Sequence, residues 1–291
     1  MCGIVGLFLK NQALHPQLGG LLTDMLVTMS DRGPDSAGIA VYRETSAEMK
    51  ITVQSENPGE DFLGLADQLG VEIEVIDTHA ILSMPAQKAV DVQDTIARDH
   101  PELRIMSKGE AIEIYKEVGL PETVANRFGI PKLSGSHGIG HTRMATESAV
   151  TTLGAHPFST GADQCLVHNG SLSNHNRLRR SLARKGTHVQ TENDTEVAAA
   201  YLTHRMKNGD SLGQALEAGL KDLDGFYTFV VGTKDGFGVL RDPIACKPAV
   251  LAETEDYVAF GSEYRALVNL PSIETASVWE PEPATVYFWS H

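Results

Sequence analysis

Cys2 directly follows the initiator methionine in the run Met1-Cys2-Gly3-Ile4-Val5-Gly6-Leu7-Phe8. Met1 is ordinarily trimmed when the next side chain is small, and trimming would put a thiol and a free α-amine on one residue. An α-amine titrates at about 7.7–8.0 and a thiol at about 8.5, so near neutrality the amine is partly unprotonated and can accept the thiol proton. Nucleophile and base then share one residue, and no histidine is needed to activate the sulfur. The competing reading is a small buried hydrophobe, and Cys2 alone does not decide between the two.

Four further polar segments carry chemically useful side chains: Arg32-Gly33-Pro34-Asp35-Ser36-Ala37-Gly38, Gly140-His141-Thr142-Arg143, His168-Asn169-Gly170 and Asp194-Thr195-Glu196. By itself Asn169-Gly170 reads as an ordinary turn, and Asp194 as the cap of a helix over Val197 to Met206. His137 and His141 have metal-like spacing, but Gly138 and Gly140 disfavour a helix, so a loop is expected and no metal site. His168 reads as a packed strand residue, and Cys165 and Cys246 as structural thiols.

These segments must be held by surrounding elements. Val5 to Leu9 reads as a buried strand, Leu18 to Met29 as a helix, and the Gly33-Pro34 turn feeds a strand from Ile39 to Tyr42. Between about 46 and 134 the pattern changes to a small α/β segment. It has strands at Val71 to Ile76 and Leu103 to Met106, and helices at Ala86 to Arg98, Glu110 to Val118 and Pro121 to Phe128. Strands are expected up to His141-Thr142-Arg143 and at Gln164 to His168, where Asn169-Gly170 turns into a helix near Asn174 to Arg184. After helices at Val197 to Met206 and Ser211 to Leu223, strands follow at Tyr227–Thr233, Gly238–Arg241, Ala249–Ala252, Tyr257–Gly261 and Thr285–Trp289. Late β-rich sequence behind two helices suggests sheets covered by helices, not a βαβ repeat.

The 291 residues can bury a core without staples, and three cysteines without CxxC spacing suggest neither a disulfide framework nor a zinc ribbon. A net charge of −14 opposes nucleic acid and anionic membranes as partners. With no signal segment and no apolar run of about 18 residues, a cytoplasmic protein is expected. Arg177, Arg179, Arg180, Arg184 and Lys185 read as a solvated helix face.

Taken in order, Cys2-Gly3-Ile4 and the four polar segments resemble class II glutamine amidotransferases, with weaker similarity through Arg241-Asp242-Pro243 and Ser262-Glu263. The resemblance implies an α+β fold, the four-layer αββα sandwich of N-terminal-nucleophile hydrolases. It would span 2–291 as one amidotransferase domain with the 46–134 segment inserted. Cys2 would attack the side-chain amide of glutamine. Acyl transfer needs donors where charge develops on the carbonyl oxygen, each worth about 10²–10³ in rate; the resemblance assigns them to the Asn169 amide and the Gly170 N–H. It gives Arg143 the substrate α-carboxylate, a suitable match for a planar guanidinium, and Asp194 the α-ammonium. Arg32 would organise the Cys2 backbone. Helix capping by Asp194 and a surface ion pair for Arg32 stay open as alternatives.

No Walker loop, dinucleotide fingerprint or synthetase segment is found, so the chain reads as half an enzyme. Gly140-His141-Thr142-Arg143-Met144-Ala145-Thr146-Glu147-Ser148 and the insertion look most like amidotransferase subunits of glutamate-synthase-like assemblies, in particular N-methylglutamate synthase (methylamine-glutamate N-methyltransferase). That implies glutamine or γ-glutamylmethylamide as donor, and ammonia or methylamine passed to a flavin-binding synthase-like subunit beside a β-helix subunit. No cofactor is expected in this chain; FMN, and after it an iron–sulfur or nicotinamide group, would belong to the partners. An ordinary glutamate-synthase subunit, a stand-alone glutaminase and a non-catalytic glutamine-binding assembly subunit are the alternatives.

Overall fold

The structure, a computed structural model, describes residues 2–45, 47–145 and 150–291. In chain order, β1 (Gly3–Leu9), α1 (Leu18–Val27) and β2 (Ser36–Tyr42) lead into β3 (Glu48–Gln54), α2 (Pro58–Asp61), α3 (Leu65–Leu69), β4 (Glu72–Ile76), β5 (His79–Pro85), α4 (Ala89–Asp99) and β6 (Arg104–Gly109). Then come β7 (Ile112–Val118), α5 (Pro121–Arg127), β8 (His137–Arg143), β9 (Phe158–Gly161), β10 (Gln164–Leu172), α6 (His175–Arg184), α7 (Asp194–Lys207) and α8 (Leu212–Asp222). The remaining strands are β11 (Gly225–Thr233), β12 (Gly236–Arg241), β13 (Val250–Glu253), β14 (Tyr257–Gly261), β15 (Ser277–Trp279) and β16 (Thr285–Ser290).

A seven-stranded sheet of order β15-β13-β14-β1-β8-β2-β7 faces a five-stranded sheet of order β16-β12-β11-β10-β9. β1 lies between β14 and β8, antiparallel to both. Its continuous apolar run follows from that position: Val5, Leu7 and Leu9 pack with α1 and α5, while Ile4 and Phe8 pack against Val167, Val230 and Phe237 of the other sheet. The far face of the five-stranded sheet is covered by α6, α7 and α8 through Leu182, Val197, Leu202 and Leu216. The layers are therefore helix, sheet, sheet, helix, the αββα sandwich expected.

A separate four-stranded sheet of order β4-β5-β3-β6 spans residues 48 to 109 and has its own core of Ile51, Val53, Phe62, Leu82, Val92 and Ile96. It is narrower than the 46–134 segment expected. Where a helix was expected over 110–118, residues 112–118 form strand β7 and extend the large sheet against β2. Alternation explains the difference: Ile112 and Ile114 enter the core between the sheets, while Tyr115 joins the cluster beneath the helices. α5 packs in that same helical layer through Val124 and Ala125. Other differences bear on the site. The strand expected to end at His141-Thr142-Arg143 is β8, and it begins at His137, so His137 and His141 lie in strand where a loop was expected; β10 runs through Asn169 and Gly170 to Leu172 instead of turning at them. Strands β3, β5, β9 and β15 were not anticipated.

Candidate active site

The N-terminal end of β1 places Cys2 beside the C-terminal ends of β8 and β14: Gly3 pairs with Thr142, and Ile4 exchanges bonds with Ser262, its N–H donating to Ser262 Oγ at 2.9 Å and its carbonyl accepting Ser262 N–H at 2.9 Å. Cys2 is half-buried, with Sγ 3.9 Å from the carbonyl oxygen of Met144. Two side chains converge on the Cys2 carbonyl: Arg32 donates through Nε at 3.1 Å and Asn169 through Nδ2 at 3.3 Å. Arg32 is also ion-paired with Glu263, which in turn receives Arg265 Nε at 2.7 Å. The Arg32 side chain is only 9% exposed, so its charge is directed inward to Cys2 and is not a free surface pair.

The segment holding Arg32 sits tightly against β8. Thr142 Oγ1 donates to the Gly33 carbonyl, and Asp35 N–H donates to the Arg143 carbonyl at 3.1 Å. A Cβ on Gly33 would come 2.5 Å from the Arg143 carbonyl carbon, and one on Gly38 would come 2.0 Å from the His156 carbonyl oxygen. Space, more than turn formation, explains these two glycines. Arg143 is 6% exposed at the end of β8, two residues beyond His141 on the same face.

Asn169 is buried at 4% exposure, whereas the following Gly170 has φ +144°, and a Cβ there would lie 2.0 Å from the Phe226 carbonyl oxygen across the β10–β11 ladder. Only glycine accommodates both the backbone angle and the approach. Asp194 opens α7 but is not its cap: the cap is Asn193, whose side chain accepts Thr195 N–H at 2.9 Å. Asp194 Oδ2 accepts Leu172 N–H at 2.9 Å, tying α7 to β10, and Oδ1 lies 3.6 Å from His168 Nδ1. Burial alone would raise this carboxyl, but the bond and charge of His168 and the Leu172 N–H outweigh it and hold it at about 2. An ionised carboxylate is therefore available at neutral pH.

The other sequence candidates separate. His137 stacks on Tyr42 with centroids 4.1 Å apart and bonds the Thr233 carbonyl through Nε2 at 2.8 Å, while His141 faces His156. Among the described residues no group of three or more His, Cys, Asp or Glu side chains could hold a metal. Cys165 is buried and its thiol is pushed up to about 12 by burial, but Cys246 is exposed in the β12–β13 connection and is no packed thiol. Glu263, Ser262 and His156 were not singled out as site residues by the sequence; each acts through a tertiary contact. Met1 and residues 146–149, including Thr146, Glu147 and Ser148 of the extended motif, lie outside the described residues. A cleft of about 540 Å³ lined by Arg177, Tyr201, His204 and Arg205 belongs to the outer helical layer and contains none of the predicted site residues.

A profile of the glutamine amidotransferase domain matches residues 141–269. Over its whole length the chain is 65% identical to the glutamine amidotransferase-like protein GlxB of Rhizobium meliloti (strain 1021), covering 100% of this chain and 99% of that protein. The chain belongs to the glutamine amidotransferase family. A putative glutamine amidotransferase of Methanothermobacter thermautotrophicus is 33% identical, with 98% of each chain covered. Among solved structures, the allosteric regulatory enzyme of purine biosynthesis superposes with a TM-score of 0.66 at 20% identity. The glutamine phosphoribosylpyrophosphate amidotransferase of B. subtilis superposes with a TM-score of 0.64, also at 20% identity. Each alignment covers 99% of this amidotransferase chain and 47% of the solved chain, so this protein spans about half of their length and shares their class II fold. Among the described residues, no helix of the amidotransferase is long and apolar enough to cross a membrane.

Proposed function

We propose that this protein hydrolyses the side-chain amide of glutamine or a γ-glutamyl amide through Cys2 and delivers the released amine to a partner. The observation that carries the reading is the convergence of Arg32 and Asn169 on the Cys2 carbonyl, which pins the main chain of a half-buried thiol at the seam of two sheets. In the chemistry proposed, Sγ bonds to the amide carbon, the C–N bond breaks, the thiol proton leaves with the amine, and water then cleaves the thioester. The α-amine exposed by removal of Met1 takes and returns the proton. Asn169 and Gly170 face the developing oxyanion, while Arg143 and Asp194 hold the substrate α-carboxylate and α-ammonium.

For the acceptor we favour N-methylglutamate synthesis, with γ-glutamylmethylamide or glutamine as donor and methylamine or ammonia passed to a glutamate-synthase-like, FMN-containing subunit. An iron–sulfur or nicotinamide group would also reside in the partners. Support comes from the motif around Arg143 and the inserted segment. Intact-mass spectrometry with 6-diazo-5-oxo-L-norleucine tests the half-reaction: loss of Met1 and one adduct mapped to Cys2 are expected. A retained Met1, or processed protein left unlabelled, would favour a glutamine-binding assembly role instead. Co-purification with a flavoprotein, and faster turnover of γ-glutamylmethylamide than of glutamine, are the outcomes that separate this acceptor from a plain glutaminase or ordinary glutamate-synthase subunit.

A further inference from the structure

Residues 153–157, just before β9, lie against β2 and β7 and are held by an unusual clamp. Lys116 Nζ, buried, donates to the carbonyls of Leu153 at 3.4 Å, Ala155 at 2.8 Å and Pro157 at 3.3 Å, and lies 4.5 Å from the Phe158 ring centroid. The same segment rests on Gly38, whose missing Cβ makes room for the His156 carbonyl. His156 is thus fixed at both backbone and flanks before its side chain makes any contact.

That side chain is a two-ended link. Nδ1 lies 3.1 Å from His141 Nε2 on β8, two residues before Arg143. Nε2 lies 3.2 Å from Thr195 Oγ1 and 3.4 Å from Asn193 Nδ2, the two neighbours of Asp194 on α7. Thr195 Oγ1 is also 3.1 Å from His168 Nδ1, which faces the Asp194 carboxylate. The Asp194 carboxylate 3.6 Å from His168 Nδ1 favours the tautomer with the proton on that nitrogen, and that tautomer gives the chain one direction. His168 donates to Thr195, Thr195 donates to His156 Nε2, and His156 Nδ1 donates to His141 Nε2. Burial keeps His141 and His156 neutral, as this arrangement demands.

We propose that His156 is a positioning residue: by bridging β8 and α7 it fixes the separation of Arg143 and Asp194, and so sets how tightly the site grips the amino-acid end of its substrate. This rests on the reading of Arg143 and Asp194 as the pair that binds the α-carboxylate and α-ammonium. It assigns the imidazole no contact with the reacting amide.

The test compares two electrophiles on Cys2 of the full-length protein. 6-Diazo-5-oxo-L-norleucine carries the α-amino acid end, whereas iodoacetamide reports only the thiol. For His156→Ala and Thr195→Val the half-saturating concentration of the diazo compound is expected to rise on the order of tenfold or more, the loss expected when a charge-assisted contact is misaligned. Its limiting rate and the iodoacetamide rate should stay unchanged, and Thr195→Ser should restore the grip. Should His156→Ala fail to fold, the Thr195 pair carries the same comparison. Unchanged half-saturation in the folded variants, or an equal fall in both electrophiles' rates, overturns the inference alone. A wild-type protein labelled at Cys2 by iodoacetamide but not by the diazo compound overturns the amidotransferase reading beneath it.

Discussion

Arg32 and Asn169 meet at one acceptor, the carbonyl oxygen of Cys2, although they come from opposite sides of the sandwich. Arg32 arrives from the turn before β2 in the seven-stranded sheet, and Asn169 from β10 in the five-stranded sheet. The main chain of Cys2 is therefore oriented by both sheets at once. An amide nitrogen carries two hydrogens, so Asn169 can keep this bond and still offer a second N–H to an oxyanion.

Asn169→Ala should lower kcat/KM for glutamine by about 10²–10³, the usual cost of one oxyanion donor. Iodoacetamide labelling of Cys2 should change much less, because no oxyanion forms in that alkylation. Equal losses in both measurements would show that Asn169 acts only by holding the Cys2 backbone.

Arg32→Lys keeps the charge but loses the fork that reaches Cys2 and Glu263 together. A fall in glutamine turnover of about tenfold is expected, in line with a charge-assisted bond of roughly 1.5–3 kcal/mol. Glu263→Gln, at a side chain one-third exposed, should cost less than about 1 kcal/mol of stability by denaturant unfolding.

Gly170→Ala should destabilise the fold by more than about 2 kcal/mol, since a strained φ and a backbone collision coincide and neither is relieved by rotating a side chain. Thermal unfolding beside the wild type checks this, and a change under 1 °C would contradict the ladder geometry.

Asp194→Asn should raise the KM for glutamine by about 10–100-fold with a smaller change in kcat, by loss of a partly buried charge pair. Because its carboxyl is held at about 2, Asp194 stays ionised down to acid pH. Its contribution to stability is present above the unfolded value of about 3.9 and is lost as pH falls through the folded one. Glutamine binding should accordingly show no Asp194 transition between pH 5 and pH 8, measured by protection of Cys2 from alkylation.

Three buried histidines, His79, His137 and His141, are each held at about 3 by burial. They are neutral in the fold but take up protons on unfolding below about 6.5, so the unfolded state binds more protons there. Stability contributed by their neutral forms is complete above about 6.5 and falls with pH toward 3, by up to about 1.4 kcal/mol per pH unit for each. Denaturant midpoints should therefore drop steadily from pH 7 to pH 5, and His137→Asn should flatten that slope.

Much of the architecture was legible in the chain because it is written locally. The ordered segments from Cys2 to Glu196 carried the resemblance that implied the layered amidotransferase fold, while the apolar periodicities of β1 and α1 marked a strand and a helix; each depends on neighbours a few residues away. What went astray depended on remote partners. Residues 110–118 resembled a helix until β2 supplied a sheet edge, and Asn169-Gly170 looked like a turn although the close approach of β11 makes it strand. Asp194 looked like a cap while Asn193 took that place and freed its carboxylate for Leu172. The links from Arg32 to Glu263 and from His156 to both His141 and Thr195 join positions with no fixed spacing in sequence. Only packing of the two sheets and their helices brings those groups within hydrogen-bonding distance, and burial there sets which of them are charged.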